Sequence, residues 1–125
     1  MKTNIIIPMA GQGTRFVNKH YLEYKSLLNI QDNLTILEKI FKNFDKKNTN
    51  FFIILSNKNL AKIIQLEYSK YRIKIIIIKK HQEGPLKSLI LAKNDLNKFI
   101  QPNSSIFLCY SDIVWNWNLK KILKF

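Results

Sequence analysis

The chain has 125 residues, of which 46% are hydrophobic, and this size and composition predict a single domain with one core. Its 21 basic and 8 acidic residues give a net charge of +13, but the lysines are scattered and only two arginines occur, which argues against a nucleic-acid partner. The longest isoleucine run, residues 75–78, is far too short to cross a membrane, and the single cysteine, Cys109, excludes an internal disulfide, so the sequence predicts a cytoplasmic protein without a membrane partner.

The first predicted element is a strand at residues 4–8, which leads into a glycine-rich turn that ends in a cation. Glycines let backbone N–H groups converge on an anion, a threonine hydroxyl adds a donor, and an arginine offers the charge and bidentate geometry that phosphate accepts. The turn and the residue before it are Ala10, Gly11, Gln12, Gly13, Thr14 and Arg15. Phe16 stands where a dinucleotide fold needs a third glycine, and the lysine of a P-loop is absent. The turn therefore predicts a different kind of nucleotide-phosphate site.

The rest of the chain alternates between short apolar runs and helical stripes. The runs are unalternating, as strands covered on both faces should be, and lie at residues 51–55, 74–78 and 106–110. The stripes that predict helices are Leu34, Leu37, Ile40, Phe41 and Phe44, then Leu60, Ile63, Ile64, Tyr68 and Tyr71, then Leu89, Ala92, Leu96 and Phe99. Thr35 and Glu38 are spaced as a capping box for the first helix. Right-handed crossovers between such strands predict a three-layer α/β/α sandwich with a mainly parallel, Rossmann-like sheet.

Three loops are expected to meet at one edge of this sheet. Ligands in such folds lie at the carboxyl ends of the strands. The glycine-rich turn follows the first strand, residues 82–88 follow the third, and Asp112 follows the fourth. His20 and His81 have neither metal-ligand spacing nor a nucleophile partner, so the sequence assigns them no chemistry.

The segments around these loops carry a family resemblance. The opening resembles the sugar-phosphate nucleotidyltransferases, whose first motif reads roughly Gly-x-Gly-Thr/Ser-Arg-Phe, then Gly-Tyr-x-x-Pro-Lys and an apolar strand. The matching residues, in order and spacing, are Gly11, Gly13, Thr14, Arg15, Phe16, Tyr21 and Lys25. His20 stands in place of the usual glycine, and Tyr24 in place of the proline. Residues 82–92 resemble the family's glycine loop and following helix, and residues 106–115 its aspartate-bearing strand.

The resemblance implies a fold of the nucleotide-diphospho-sugar transferase type and an Mg²⁺-dependent enzyme. The nucleotidyltransferase would join a nucleoside monophosphate from a nucleoside triphosphate to a phosphorylated small-molecule acceptor, such as a sugar phosphate, and release pyrophosphate. Arg15 would neutralise the pyrophosphate, Lys25 would approach the α-phosphate, and Asp112 would hold the metal. Gly84 and Ser88 would lie against the base and the ribose.

The resemblance also implies that the family domain continues past Asp112, so the chain is expected to be its N-terminal nucleotide-binding part, with a C-terminal half missing or with self-association of the exposed sheet edge. Trp115 and Trp117 precede a predicted short helix with Leu119, Ile122 and Leu123. Two alternatives stay open. One is a nucleotide-sugar-dependent glycosyltransferase, although Val114 stands where its Asp-x-Asp motif needs a second carboxylate. The other is a nucleotide-binding module without catalytic activity.

Overall fold

A computed structural model of the protein describes residues 2–10, 29–31, 34–81 and 83–109. The strands are β1 (Thr3–Pro8), β2 (Asn29–Gln31), β3 (Leu34–Thr35), β4 (Thr49–Leu55), β5 (Ile73–Ile77) and β6 (Ser105–Leu108). The helices in this part of the chain are α1 (Ile36–Lys42), α2 (Lys58–Glu67) and α3 (Pro85–Phe99). The four longer strands agree with the predicted apolar runs to within one or two residues at each end where the structure describes them.

The four longer strands form one parallel sheet in the order β5-β4-β1-β6. β1 is central: it pairs with β4 along its whole length and with β6 from Thr3–Ser105 to Ile6–Leu108. β2 and β3 form a separate two-stranded antiparallel sheet. The protein thus has a mixed α/β fold with a parallel sheet, consistent with a Rossmann-like arrangement.

Alternate residues of β1, β4 and β5 enter two different hydrophobic clusters, which explains why each of these strands is a continuous apolar run in the sequence. Ile5 and Ile7 of β1 belong to one cluster, together with residues of α1 and α2. Ile6 belongs to the other, together with Ala92 and Leu96 of α3. Both faces of the sheet therefore take part in the core.

The connections between the strands account for which helix joins which cluster. The chain moves from β1 to β4 to β5 in one direction, and then returns past β4 and β1 to reach β6. A right-handed crossover puts helices on opposite faces when the direction of travel reverses. The rule therefore groups α1 with α2 and separates them from α3, in agreement with the two clusters.

The start of α1 confirms one prediction and corrects another. Thr35 is the N-cap, and its Oγ1 accepts a hydrogen bond of 3.0 Å from the backbone N–H of Glu38, which is one of the two hydrogen bonds of the predicted capping box. The same hydroxyl lies 2.7 Å from the Tyr68 hydroxyl. Leu34 was expected on the helix but lies in β3. The N-cap Thr35 has an extended backbone and is the last residue of β3, so the helix begins only at Ile36.

Aromatic side chains fill the cluster between α1, α2 and the sheet. Phe41 is fully buried, and its ring centroid lies 4.6 Å from that of Phe51, 4.7 Å from Tyr71 and 5.3 Å from Tyr68. Burial is the main cause that raises the pKa of Tyr68. Phe44 is also buried, although α1 ends at Lys42. These rings fix α1 and the end of α2 against β4.

Candidate functional site

The carboxyl ends of β1 and β6 lie side by side, and this is where the strand order of the sheet reverses. Their register pairs Ile6 with Leu108, and the pairing continues one step further because the Cys109 N–H donates to the Ile6 carbonyl at 2.9 Å. β4, which follows β1 along the chain among the strands of this sheet, lies on the other side of β1. Open α/β sheets bind their ligands in the crevice at such a switch point.

The chain is held firmly up to the start of the glycine-rich turn. Beyond the end of β1, the Met9 N–H donates to the Ile54 carbonyl at 2.8 Å. Ala10, a predicted nucleotide-binding residue, is buried and belongs to the cluster that α3 covers. The remaining predicted residues of this region lie outside the described residues, so their roles stay predictions: Gly11, Gln12, Gly13, Thr14, Arg15, Lys25 and Asp112.

The loop between β5 and α3 presents a helix N-terminus without a side-chain cap. α1 and α2 are capped by Thr35 and Asn57, whereas the N-cap of α3 is Gly84, followed by a proline in the first turn. A Cβ at Gly84 would meet nothing within 4 Å, so the space beside the loop is open. The first-turn N–H groups of a helix carry partial positive charge, and an open N-terminus suits an anionic or polar ligand.

The backbone of Gly84 gives a testable requirement for glycine. Its φ of 88° and ψ of 179° lie in a region that other residues rarely adopt. We expect Gly84→Ala to lower the free energy of unfolding by about 1–3 kcal/mol, since the strain is in the backbone and no neighbour is displaced. Urea unfolding measures this loss. Leu86→Ala, at an exposed position in the same helical turn, is the control and should change stability by less than about 0.5 kcal/mol; equal losses in both variants would contradict the argument.

A hydrogen bond between His81 and Ser88, which the sequence analysis did not predict, joins the two ends of the loop between β5 and α3. His81 Nε2 lies 2.8 Å from the hydroxyl of Ser88, which is fully buried in the first turns of α3. The Glu83 backbone N–H donates to His81 Nδ1 at 3.2 Å. Nδ1 is therefore the acceptor, so the neutral ring carries its proton on Nε2 and donates it to Ser88. No short motif marks this pair, since its members stand seven positions apart across a turn.

The direction of that hydrogen bond limits what the pair can do. A histidine that activates a serine must accept the hydroxyl proton, but His81 donates to Ser88 and the hydroxyl is shielded from solvent. The pair thus holds the loop in shape and leaves Ser88 without the features of a nucleophile. The contact of Ser88 with a base or ribose stays a prediction, with its hydroxyl already bonded to the imidazole.

Lysines surround the same loop. Lys79 and Lys80 are exposed between β5 and His81, and Lys87 Nζ lies 3.4 Å from the Glu83 carboxylate. A partly exposed ion pair of this kind contributes little to stability. Because Glu83 balances only Lys87, Lys79 and Lys80 leave a net positive charge near the N-terminus of α3, which favours an anionic ligand.

Cys109, which directly follows β6, is buried. Burial raises the pKa of its thiol from an ordinary 9.0 to about 11. A thiol that stays protonated at neutral pH is a poor nucleophile. Cys109 therefore has a packing role beside Ile7.

The raised pKa of Cys109 predicts how stability changes at alkaline pH. The thiol of the unfolded chain loses its proton near pH 9, and that of the folded chain near pH 11. The contribution of this thiol to the free energy of unfolding is therefore fully present below pH 9. It is lost as the pH rises toward 11, and the loss is on the order of 2 kcal/mol. Urea unfolding across this range should show a shallower decline for Cys109→Ala. The same decline in both proteins would contradict the assignment.

Comparisons with known proteins add no family to this geometry. No protein-family model and no curated protein matches the chain. Within residues 2–10, 29–31, 34–81 and 83–109, no helix has the length and apolar character needed to cross a membrane. In the same part of the chain, no three His, Cys, Asp or Glu side chains cluster as metal ligands do. The functional argument therefore depends on the sheet topology and on the motifs that follow its strands.

Proposed function

We propose that this protein is an Mg²⁺-dependent nucleotidyltransferase that transfers a nucleoside monophosphate to a phosphorylated small molecule. We also propose that its two core clusters belong to a three-layer α/β/α sandwich of the nucleotide-diphospho-sugar transferase type. The observation that carries the proposal is the adjacency of β1 and β6 in the parallel sheet. One strand leads into the glycine-rich turn and the other leads to Asp112.

Adjacency matters because the two motifs are far apart in sequence: Arg15 and Asp112 are separated by 97 positions. Neighbouring strands lie about 4.8 Å apart, so the segments that leave them start in the same crevice. The glycine-rich turn would supply backbone N–H groups and Arg15 for phosphate oxygens. Asp112 would supply a carboxylate beside them. A carboxylate together with phosphate oxygens is the donor set that Mg²⁺ prefers in nucleotide sites.

The proposed reaction makes demands that these residues can meet. An acceptor phosphate oxygen attacks the α-phosphorus, the bond to the β-phosphate bridging oxygen breaks in line, and pyrophosphate leaves. Because negative charge accumulates on both sides of the reacting phosphorus, catalysis depends on positioning and on cations. Lys25 would neutralise the α-phosphate, and Arg15 the departing pyrophosphate. A bound Mg²⁺ ion would add further neutralising charge.

The loop before α3 provides a second, independent observation in support of the proposal. The fold brings Leu89, from the first turns of α3, into the cluster that contains Ala10. α3 and the residue before the glycine-rich turn thus share one hydrophobic cluster. Gly84 leaves open space there, and exposed lysines precede it. A base or ribose held at Gly84 would have its phosphates directed toward the turn.

Calorimetry tests the proposal. The protein is titrated with each of the four common nucleoside triphosphates, with and without Mg²⁺, and with the matching monophosphates as controls. We expect at least one triphosphate to bind, and to bind more tightly with Mg²⁺ than without it. An absence of binding heat for all four, with protein shown to be folded by circular dichroism, would overturn the proposal. Pyrophosphate release in the presence of sugar 1-phosphates distinguishes a nucleotidyltransferase from a glycosyltransferase or a binding module.

A further inference from the structure

A cleft that opens to solvent lies at the amino edge of the parallel sheet. Its volume is about 280 Å³, and the side chains that give it its chemistry are Asn50, Phe52, Arg72, Lys74 and Phe99. They come from the start of β4, from the start of β5 and the residue before it, and from the last residue of α3. The cleft is therefore at the opposite end of the strands from the candidate nucleotide site.

Four of these side chains share the face of the sheet that α3 covers. Phe52 belongs to the α3 cluster and is paired with Lys74 across β4 and β5. Asn50 and Arg72 stand two positions earlier in the chain than these partners, so their side chains leave the backbone on the same side. The pairing reaches that far, because the Arg72 carbonyl accepts from the Phe51 N–H at 2.8 Å. Two cations and an amide thus lie next to an aromatic ring.

Phe99 forms an apolar wall of the cleft. Its ring stacks on that of Phe52, with the centroids 6.5 Å apart, and Lys74 Nζ lies 4.3 Å from its centroid. The side chain is still 45% exposed in spite of these contacts. An aromatic ring with open surface offers stacking area to the ring of a ligand, and covering that area favours binding.

The two cations of the cleft have no acidic partner in the part of the chain that the structure describes. The ion pairs found there use Lys70 and Lys87 instead. Asp95, the acidic residue of α3, does not line the cleft. Residues two positions apart on a strand are separated by about 7 Å, so the charges of Arg72 and Lys74 repel each other. An anion bound between them would relieve this repulsion.

Asn50 adds a neutral donor beside these charges. Its Nδ2 lies 3.5 Å from Asn4 Oδ1, and this contact uses one of the two amide hydrogens. The other hydrogen can be donated to a ligand. The cleft thus offers guanidinium, ammonium and amide N–H groups together, and the two oxygens of a carboxylate can accept from several such donors at once.

We propose that this cleft binds a small aromatic carboxylate, with its carboxylate between Arg72 and Lys74 and its ring against Phe99. An inorganic anion or a nucleotide phosphate would use the donors but leave the aromatic wall uncovered. The volume lies just below the usual range for pockets that hold drug-sized molecules, which suits a ligand with one ring. This site does not depend on the nucleotidyltransferase activity, and its ligand does not compete with a nucleoside triphosphate.

Nuclear magnetic resonance of the ¹⁵N-labelled protein tests the proposal. The protein is titrated with phenylacetate, with acetate, which keeps only the charge, and with benzyl alcohol, which keeps only the ring. We expect phenylacetate to shift the backbone amides of Lys74 and Phe99 with a Kd of about 1 mM or tighter, a value that about ten non-hydrogen atoms can provide. The other two compounds should bind at least about 10-fold more weakly, since each lacks one of the two contacts. Phenylacetate that does not bind saturably, or that binds no more tightly than acetate or benzyl alcohol, would overturn the proposal.

Substitutions of the cations identify the site. Lys74→Gln and Arg72→Gln should each weaken phenylacetate binding at least about 10-fold, because each removes a charged hydrogen-bond partner. Both side chains are exposed, and circular dichroism should show that the domain stays folded. Lys62→Gln is the matched control and should leave the affinity unchanged, since Lys62 is exposed on α2, which packs in the cluster on the opposite face of the sheet.

Two results with these variants and ligands would contradict the proposal. One is a phenylacetate affinity that stays the same in both Lys74→Gln and Arg72→Gln. The other is displacement of phenylacetate from the amides of Lys74 and Phe99 by a nucleoside triphosphate, because the cleft would then be a nucleotide site.

Discussion

Replacing Phe41 with alanine should lower the free energy of unfolding by about 3–5 kcal/mol, the range for deletion of a fully buried aromatic ring. The ring contacts Phe51 of β4, Tyr68 at the C-cap of α2, and Tyr71 in the connection from α2 to β5. Its removal would leave a cavity between two helices and the sheet, and its neighbours are held by their own packing and can fill that space only in part. The loss is a large fraction of the stability of a small domain.

Urea unfolding followed by circular dichroism gives this number directly. Phe99→Ala is the matched control, because Phe99 is 45% exposed and its ring contacts only Phe52 among the described aromatic rings. We expect a clearly smaller loss for the control. Similar losses for the two variants would mean that the Phe41 cluster does not have the central role that its burial indicates.

Arg15→Ala should weaken the binding of a nucleoside triphosphate by about 2 kcal/mol, or roughly 30-fold in Kd, because it removes a charged hydrogen-bond partner. The proposed position of Arg15 is next to the β- and γ-phosphates. Binding of the matching monophosphate, which lacks them, should change much less. Calorimetry with both ligands measures the difference, and equal losses would place Arg15 elsewhere.

The chain offers a matched control for this substitution in its one other arginine. Arg72 is exposed and directly precedes β5, so it lies at the amino edge of the sheet, opposite the candidate site. The backbone carbonyl of Arg72 accepts a hydrogen bond of 2.8 Å from the Phe51 N–H. Alanine at this position retains that carbonyl. Arg72→Ala should therefore remove the same charge and leave triphosphate affinity unchanged.

Much of the fold could be predicted because local patterns and tertiary packing agree. β1, β4 and β5 could be predicted because they bury side chains on both faces of the sheet, and the cap Thr35 could be predicted from its spacing to Glu38. The short β2–β3 pairing was missed, since strands of two or three residues carry no periodicity. Ile63 and Phe99 belong to the apolar stripes that predicted helices, but they are 36% and 45% exposed, because each stripe is wider than the surface on which the helix packs.

The candidate site was less accessible to sequence reasoning. Strand order is a tertiary property, and four equally apolar strands do not reveal which of them will be neighbours. The structure puts β1 beside β6, while β5, whose loop was expected to meet the same crevice, lies two strands from β1. That loop leads into α3, whose residues Ala92 and Leu96 share a hydrophobic cluster with Ala10, the residue before the glycine-rich turn. The hydrogen bond between His81 and Ser88 was likewise invisible, since it depends on the shape of a turn.

The pairing of β1 with β6 also affects how the protein is made. Asn4 donates a side-chain hydrogen bond to the Ser105 carbonyl, 101 positions further along the chain. At a synthesis rate of roughly 5–20 residues per second, the ribosome needs about 5–20 s to produce the second partner after the first. During that interval one edge of an isoleucine-rich strand is open to pairing with other nascent chains. The topology that builds the crevice therefore also makes co-translational aggregation a specific hazard for this protein, and slower translation would lengthen the exposure.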